Sequence, residues 1–129
     1  MNIGDVSDYS GLSAKTIRYY ETRGLIQPLR DTNGYRAYRS CDAQKLRFLA
    51  QARKLGFSLR DCENLLTLFE MDGPTNGAVA NVFETHMENL SNQLSELRTK
   101  HETIKKLLEV RKPHHRADEY LFKYLTEAQ

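Results

Sequence analysis

Apolar residues recur along this chain with the period of helices, interrupted by glycines. Ile3, Val6 and Tyr9 stand three apart on one face of a short helix, and Gly11 follows where a left-handed residue closes it. Ser13 is placed to accept hydrogen bonds from the free N–H groups that open a second helix. There Leu12, Ile17 and Tyr20 turn inward, which leaves Lys15, Thr16, Arg18 and Tyr19 on the outer face. Further on, Leu46, Leu49, Ala50 and Arg53 keep a helical period from about Asp42 to Leu55, with Ser40 as the expected cap and Gly56 as the stop. Ser58, with Asp61 three residues later, opens the next helix, whose inner face reads Leu59, Cys62, Leu66 and Phe69.

Residues 71–76, Met-Asp-Gly-Pro-Thr-Asn, break the pattern as a hinge. A single long helix is expected over residues 77–110. Phe83, Leu90, Leu97 and Ile104 form one row on it; Met87, Leu94, His101 and Leu108 form the other. Spacings that alternate four and three make a coiled-coil seam. One helix cannot bury such a seam, and no other segment is long enough to cover it, so a homodimer is expected. Periodicity leaves the orientation of the two helices open.

Between the second and third helices lies Asn33-Gly34, a two-residue hairpin signal whose positions both tolerate positive φ. The arms carry Arg30, Tyr35, Arg36, Tyr38 and Arg39. Two short helices around a glycine turn make a helix-turn-helix, and a basic hairpin after it makes a wing. The second helix of such a unit enters the major groove of DNA, where Lys and Arg reach guanine edges or phosphates. Arginines and tyrosine hydroxyls of a wing suit phosphate oxygens beside the groove. The residues expected at DNA are therefore Lys15, Thr16, Arg18, Tyr19, Tyr35, Arg36 and Tyr38, with one of Tyr35 and Tyr38 packing on the helices and the other meeting the backbone. A purely solvated basic face is the competing reading. Arg53 and Lys54 stand at the same choice between phosphate and solvent.

Charge favours the first reading by its placement rather than its total. The net charge of the 129 residues is +2, but residues 1–70 hold eleven Lys/Arg against eight Asp/Glu, and residues 71–129 hold eight against nine. The excess of cations is confined to the head, where phosphate attraction needs it. No apolar run reaches membrane length and no signal peptide precedes the first helix, so the expected place is the cytoplasm, with no membrane partner.

The motifs Ile17-Arg18-Tyr19-Tyr20-Glu21, Gly24-Leu25-Ile26, Asn33-Gly34-Tyr35-Arg36-Ala37-Tyr38 and Ala52-Arg53-Lys54-Leu55-Gly56-Phe57-Ser58-Leu59 follow one another at family spacing. On these, residues 1–70 closely resemble the mercury-resistance-type (MerR) transcription regulators, and length and order extend the resemblance over the whole chain. Gly56 to Leu59 and Leu65 to Phe69 are most similar to the copper-responsive branch. The resemblance implies a mostly α fold: a winged helix-turn-helix head over 1–70, the hinge 71–76, an antiparallel coiled-coil dimerisation helix over 77–110, and an effector-type loop with a short C-terminal helix over 111–129. It implies a homodimer on double-stranded promoter DNA that bends and untwists an overlong promoter spacer, so that RNA polymerase aligns with both promoter elements.

The same resemblance exposes an omission. Metal sensors of the family use two cysteines eight positions apart in the loop after the long helix; here those positions are Arg111 and Glu119. Arginine is always protonated and neither residue is a soft thiolate ligand. Just before the long helix, where relatives carry cysteine or serine, stands Asn76. A family-type soft-metal site is not expected, and no cofactor is expected. His114 and His115, with Asp118 and Glu119, form a His/carboxylate cluster acceptable to zinc or nickel in principle, although Lys112 and Arg116 repel a cation. Arg111 and Glu119 either pair directly, standing in for a bridging ion, or point to water. His101 in the seam fixes register or, alternatively, responds to pH.

Cys41 and Cys62 are the two cysteines. Cys62 falls on a core face; Cys41 stands near a helix N-terminus beside Arg39, a setting that leaves redox sensing open. No nucleophile–base pair, phosphate loop or carboxylate pair is present, so an enzyme is not expected. The expected function is a homodimeric DNA-binding regulator with an unidentified effector. A metal- or redox-responsive regulator with a non-standard site, or an architectural DNA-binding protein without an effector, are the alternatives.

Overall fold

The computed structural model describes residues 1–74, 76–110 and 117–127. Six helices and a two-stranded sheet follow in chain order: α1 (Ile3–Ser10), α2 (Ala14–Thr22), β1 (Leu29–Arg30), β2 (Arg36–Ala37), α3 (Ser40–Lys54), α4 (Leu59–Glu70), α5 (Ala78–Val110) and α6 (Ala117–Glu127). The fold is mostly helical, as the periodicity predicts.

Local chemistry accounts for the boundaries. At α1, the Asn2 side chain accepts from the Asp5 N–H at 2.9 Å while the Asp5 carboxylate accepts from the Asn2 N–H at 3.1 Å. This reciprocal cap satisfies two otherwise free donors. Gly11 closes α1 at φ 78°, a left-handed conformation that a side chain would strain. Ser13 and Ser58 cap α2 and α4, accepting from the N–H groups of Thr16 and Asp61. The ends of α2 and α3 share one pattern: Leu25 N–H donates to Tyr20 O and Gly24 N–H to Glu21 O, as Phe57 N–H does to Ala52 O and Gly56 N–H to Arg53 O.

The expected cap of α3 is corrected. Ser40 is its first helical residue, and Arg39 holds the cap position. Asp42, fully buried, reaches back to accept the Arg39 N–H at 2.9 Å, and also accepts from the Arg39 guanidinium at 3.2 Å. The Arg39 guanidinium further donates to Gln27 O at 3.1 Å, which ties the segment before β1 to the start of α3.

One core organises the first compact unit, Met1–Phe83. Val6 of α1, Ile17 and Tyr20 of α2, Ile26, Leu46 and Leu49 of α3, and Cys62 and Leu65 of α4 are buried together. Each fully buried aliphatic side chain contributes about 1.5–3 kcal/mol relative to exposure. Val79 and Val82, in the first turns of α5, pack on this core, and Phe83 meets Phe57 edge-on with ring centroids 5.0 Å apart. The unit therefore extends past residue 70 and takes in the start of the long helix.

Two apolar assignments change. Tyr9 is half-exposed, because the buried face of α1 runs through Val6 and Ser10; its ring lies 5.0 Å beneath the Arg47 guanidinium. On α4 the buried stripe is centred on Cys62, Leu65 and Leu66, so Phe69 falls at its edge, half-exposed and edge-on to Phe48.

Glu84–Gln129 forms the second compact unit. In it the seam positions Met87, Leu90, Leu94, Leu97, Ile104 and Leu108 are all exposed on the single chain. Tyr120, Phe122, Tyr124 and Leu125 of α6 are exposed as well. Among the described residues no helix is long and apolar enough to cross a membrane.

Candidate nucleic-acid interface

Two buried side chains, Ile17 and Tyr20, fix the rotation of α2, and the Ser13 cap fixes its start. Lys15, Arg18 and Tyr19 consequently face solvent, while Thr16 is half-buried with its hydroxyl 2.9 Å from that of Ser13. A groove beside α2 is lined by Lys15, Thr16, Tyr19 and Arg23, with Arg53 of α3 and Leu59 of α4 on the other side. Arg53 is steadied there by donating to Phe57 O at 2.9 Å. An exposed helix face with two cations, a phenol and a cationic groove at its side has the donors that phosphate oxygens and guanine edges require.

The hairpin next to it forms, but not with the turn expected. Leu29 pairs with Ala37 and Arg30 with Arg36. Beyond them, Asp31 N–H donates to Tyr35 O at 2.9 Å and Gly34 N–H to Asp31 O at 3.0 Å. Only Gly34, at φ 81°, is left-handed; Asn33 is not. The loop is thus Thr32-Asn33-Gly34, a three-residue connection with glycine in the left-handed position. The sequence signal for a two-residue turn fails because the Asp31 carboxylate accepts from both Asn33 N–H at 2.9 Å and Tyr35 N–H at 3.0 Å, which favours the wider turn.

The two tyrosines of the wing divide as expected, one packed and one free, and the division removes Tyr38 from the candidate interface. Tyr35 is 72% exposed, whereas Tyr38 is 3% exposed and its hydroxyl has no hydrogen-bond partner among the described residues. Burial pushes the Tyr38 phenol above its ordinary pKa, so it stays neutral. Its backbone N–H donates to Met1 O at 2.8 Å, and its carbonyl accepts from the Met1 ammonium at 3.2 Å.

Glu21, at the far end of α2, ties wing to helix. Its carboxylate accepts from Arg36 Nε and lies 3.7 Å from the Arg30 guanidinium, which also donates to Gly34 O at 3.2 Å. Arg36 is therefore half-buried and aimed by an internal partner rather than free. Arg23, the cap residue of α2, donates to the Tyr19 hydroxyl at 3.3 Å and to Glu63 of α4 at 2.8 Å, and these two bonds raise its pKa. The expected set omits Glu21, Arg23 and Glu63. The four-residue interval from Tyr19 to Arg23 is the available sequence signal for one contact, since such pairs share a helix face. Glu63 lies forty positions away, and no local pattern points to it.

The dimerisation candidates Phe83, Met87, Leu90, Leu94, Leu97, His101, Ile104 and Leu108 share α5, with His101 exposed and its Nδ1 3.7 Å from Glu102. Of the effector candidates, Asn76 precedes α5 at φ 53°, and Glu119 is exposed in the first turn of α6. Arg111, His114 and His115 lie outside the described residues, and with them the Arg111–Glu119 pair. Among the described residues no group of His, Cys, Asp and Glu is arranged to hold a metal ion. Cys41 is exposed in the first turn of α3, while Cys62 is buried, and burial raises its thiol pKa.

The family model described as MerR HTH family regulatory protein matches residues 1–68, and that described as MerR, DNA binding matches residues 43–107. The HTH-type transcriptional regulator HmrR of Rhizobium leguminosarum bv. viciae is 44% identical over 108 residues, 84% of either chain. Among solved structures, a Ralstonia metallidurans transcription regulator in complex with lead(II) superposes with a TM-score of 0.77 over 88% of this chain and 90% of that one; at 24% identity this is a likeness of fold. HiNmlR, a MerR family regulator lacking the sensor domain and bound to promoter DNA, gives a TM-score of 0.60 at 27% identity over 86% of this chain and 82% of that one.

Proposed function

The chain belongs to the MerR family of DNA-binding transcription regulators and is not an enzyme, and on that premise we propose that it acts as a homodimer on a dyad operator and distorts promoter DNA to control transcription. The observation that carries this reading is the outer face of α2, where Lys15, Arg18 and Tyr19 stand exposed on a helix locked by Ile17 and Tyr20. In this reading α2 enters the major groove, and Tyr35 and Arg36 of the wing meet flanking phosphates. Residues 1–70 are the DNA-reading head and 71–76 the hinge; 77–110 join the two copies, and 111–129 are the effector-type segment. RNA polymerase at the promoter is the partner whose access the distortion controls.

Footprinting and binding titrations test the assignment. Arg18→Ala should cost about 1–3 kcal/mol on the specific operator if the side chain reads a base, while Arg36→Ala should weaken binding to all sequences alike. Wild-type affinity in Arg18→Ala would remove α2 from the groove. Open-complex formation at a cognate promoter separates a regulator from an architectural protein, which bends DNA without changing transcription.

The effector is not a soft metal held in the family manner. Arg111 and Glu119 stand at the two positions where a pair of thiolates would close on the ion, and a guanidinium cannot ligate it. Copper(I), silver(I) and zinc should leave transcription at the promoter unchanged. Tight copper(I) binding by the purified chain would overturn this part and leave the regulator reading in place.

A further inference from the structure

The ion pair between α2 and α4 lies beside the face assigned to DNA. We propose that Glu63 is a positioning residue for DNA recognition: through Arg23 it holds the Tyr19 phenol as a hydrogen-bond donor to a phosphate oxygen. The inference rests on the reading of α2 as the DNA-reading helix. Glu63 projects from α4 between the buried residues Cys62 and Leu65, so the core fixes the origin of its side chain. Its carboxylate takes Arg23 Nη2 at 2.8 Å, and Arg23 Nη1 reaches the Tyr19 hydroxyl at 3.3 Å, with the guanidinium carbon 6.0 Å from the Tyr19 ring centroid.

The direction of donation sets the chemistry. A guanidinium has N–H donors and no acceptor, so in the Arg23–Tyr19 bond the phenol oxygen accepts. The phenol's own proton is then left to point elsewhere. Phosphate oxygens only accept, and a half-exposed phenol with its proton free is matched to them. Without Glu63, Arg23 is a long exposed side chain with many rotamers, and the phenol loses its fixed partner. Exposed ion pairs contribute little to folding, so this role is read from binding rather than from stability.

Sign makes the proposal testable. Removing an acidic side chain from a DNA-binding head should, by charge alone, strengthen binding to a polyanion. The probe is a duplex selected from a randomised library by the purified full chain, titrated by fluorescence anisotropy at several salt concentrations. Glu63→Ala should bind about fivefold more weakly, because the loss of an aligned hydrogen bond outweighs the charge gained. Arg23→Lys keeps the charge and the salt dependence, yet should lose a similar factor, since an ammonium cannot span both partners as the planar fork does. Glu63→Ala in a Tyr19→Phe background should bind no more weakly than Tyr19→Phe alone, because coupled positions are not additive.

Tighter binding by Glu63→Ala, with a salt slope steeper by about one as Arg23 turns to phosphate, would overturn the proposal. So would wild-type affinity in Arg23→Lys, which also decides the matter if Glu63→Ala does not fold. Arg18→Ala serves as the control. If it binds at wild-type affinity, or if no duplex is selected, the reading of α2 and the positioning role fall together. If Arg18→Ala is weakened while Glu63→Ala and Arg23→Lys are not, the positioning role alone falls.

Discussion

Tyr38 and Tyr35 stand three residues apart in one basic hairpin, and burial sorts them into different roles. The Tyr38 hydroxyl is enclosed with no partner among the described residues, and an enclosed donor left unpaired is unfavourable. Tyr38→Phe should therefore raise stability by about 1 kcal/mol and leave DNA affinity unchanged; a lower urea midpoint would refute this. The cysteines divide in the same way. Iodoacetamide should label Cys41, which is exposed, in the native protein, and Cys62 only after unfolding; mass spectrometry of the digested protein reads the site. Burial raises both the Cys62 thiol from its ordinary value of 9.0 and the Tyr38 phenol from 10.0. The folded chain keeps these protons where the unfolded chain releases them. The stability these two groups contribute should accordingly be level below about pH 9 and be lost as pH rises beyond it, which urea unfolding at pH 8 and 10.5 would show.

At the scale of elements, two aspartates make similar bonds in different surroundings. Asp42 is fully buried and holds the Arg39 N–H and guanidinium; Asp31 is exposed and holds the N–H groups of Asn33 and Tyr35. Asp42→Ala should cost about 1–3 kcal/mol of global stability, whereas Asp31→Ala should cost under about 1 kcal/mol. The second should show instead as faster hydrogen exchange at Asn33 and Tyr35. The same pair marks how far sequence reading reaches. Helices were legible wherever apolar spacing and a nearby hydroxyl agreed, as at Ser13 and Ser58, because capping is a local interaction. The hairpin was legible as an element, but its turn was not, since an aspartate two positions before Asn33 decides it. The exposed face of α2 followed from Ile17 and Tyr20 alone. What holds that face in register, Glu21 to the wing and Glu63 to Arg23, needed the fold, because those partners meet only after α2, the hairpin and α4 have packed.

For the whole molecule the question is what covers α5. Its 33 residues make a helix about 50 Å long, and its apolar row is left open on the single chain, with Leu97 63% exposed and Ile104 58% exposed. A continuous row of this kind at alternating four- and three-residue spacing is stabilised when a second helix interlocks with it. In the proposed function, assembly and recognition are one problem: a dyad operator needs two copies of α2 held at a fixed separation, and a joint built from α5 would supply it. Leu97→Asp places a carboxylate in the middle of the row. In a dimer that charge is buried against apolar partners with nothing to pair it, which is strongly unfavourable. Sedimentation at micromolar concentration should find the wild-type chain as a dimer and Leu97→Asp as a monomer. The compact unit Met1–Phe83 contains the head, so the variant should still bind a single half-site, weakly and with a shallower salt slope. A wild-type chain that sediments as a monomer would defeat both the seam and the two-half-site operator. A dimeric Leu97→Asp would move the joint to another face of α5.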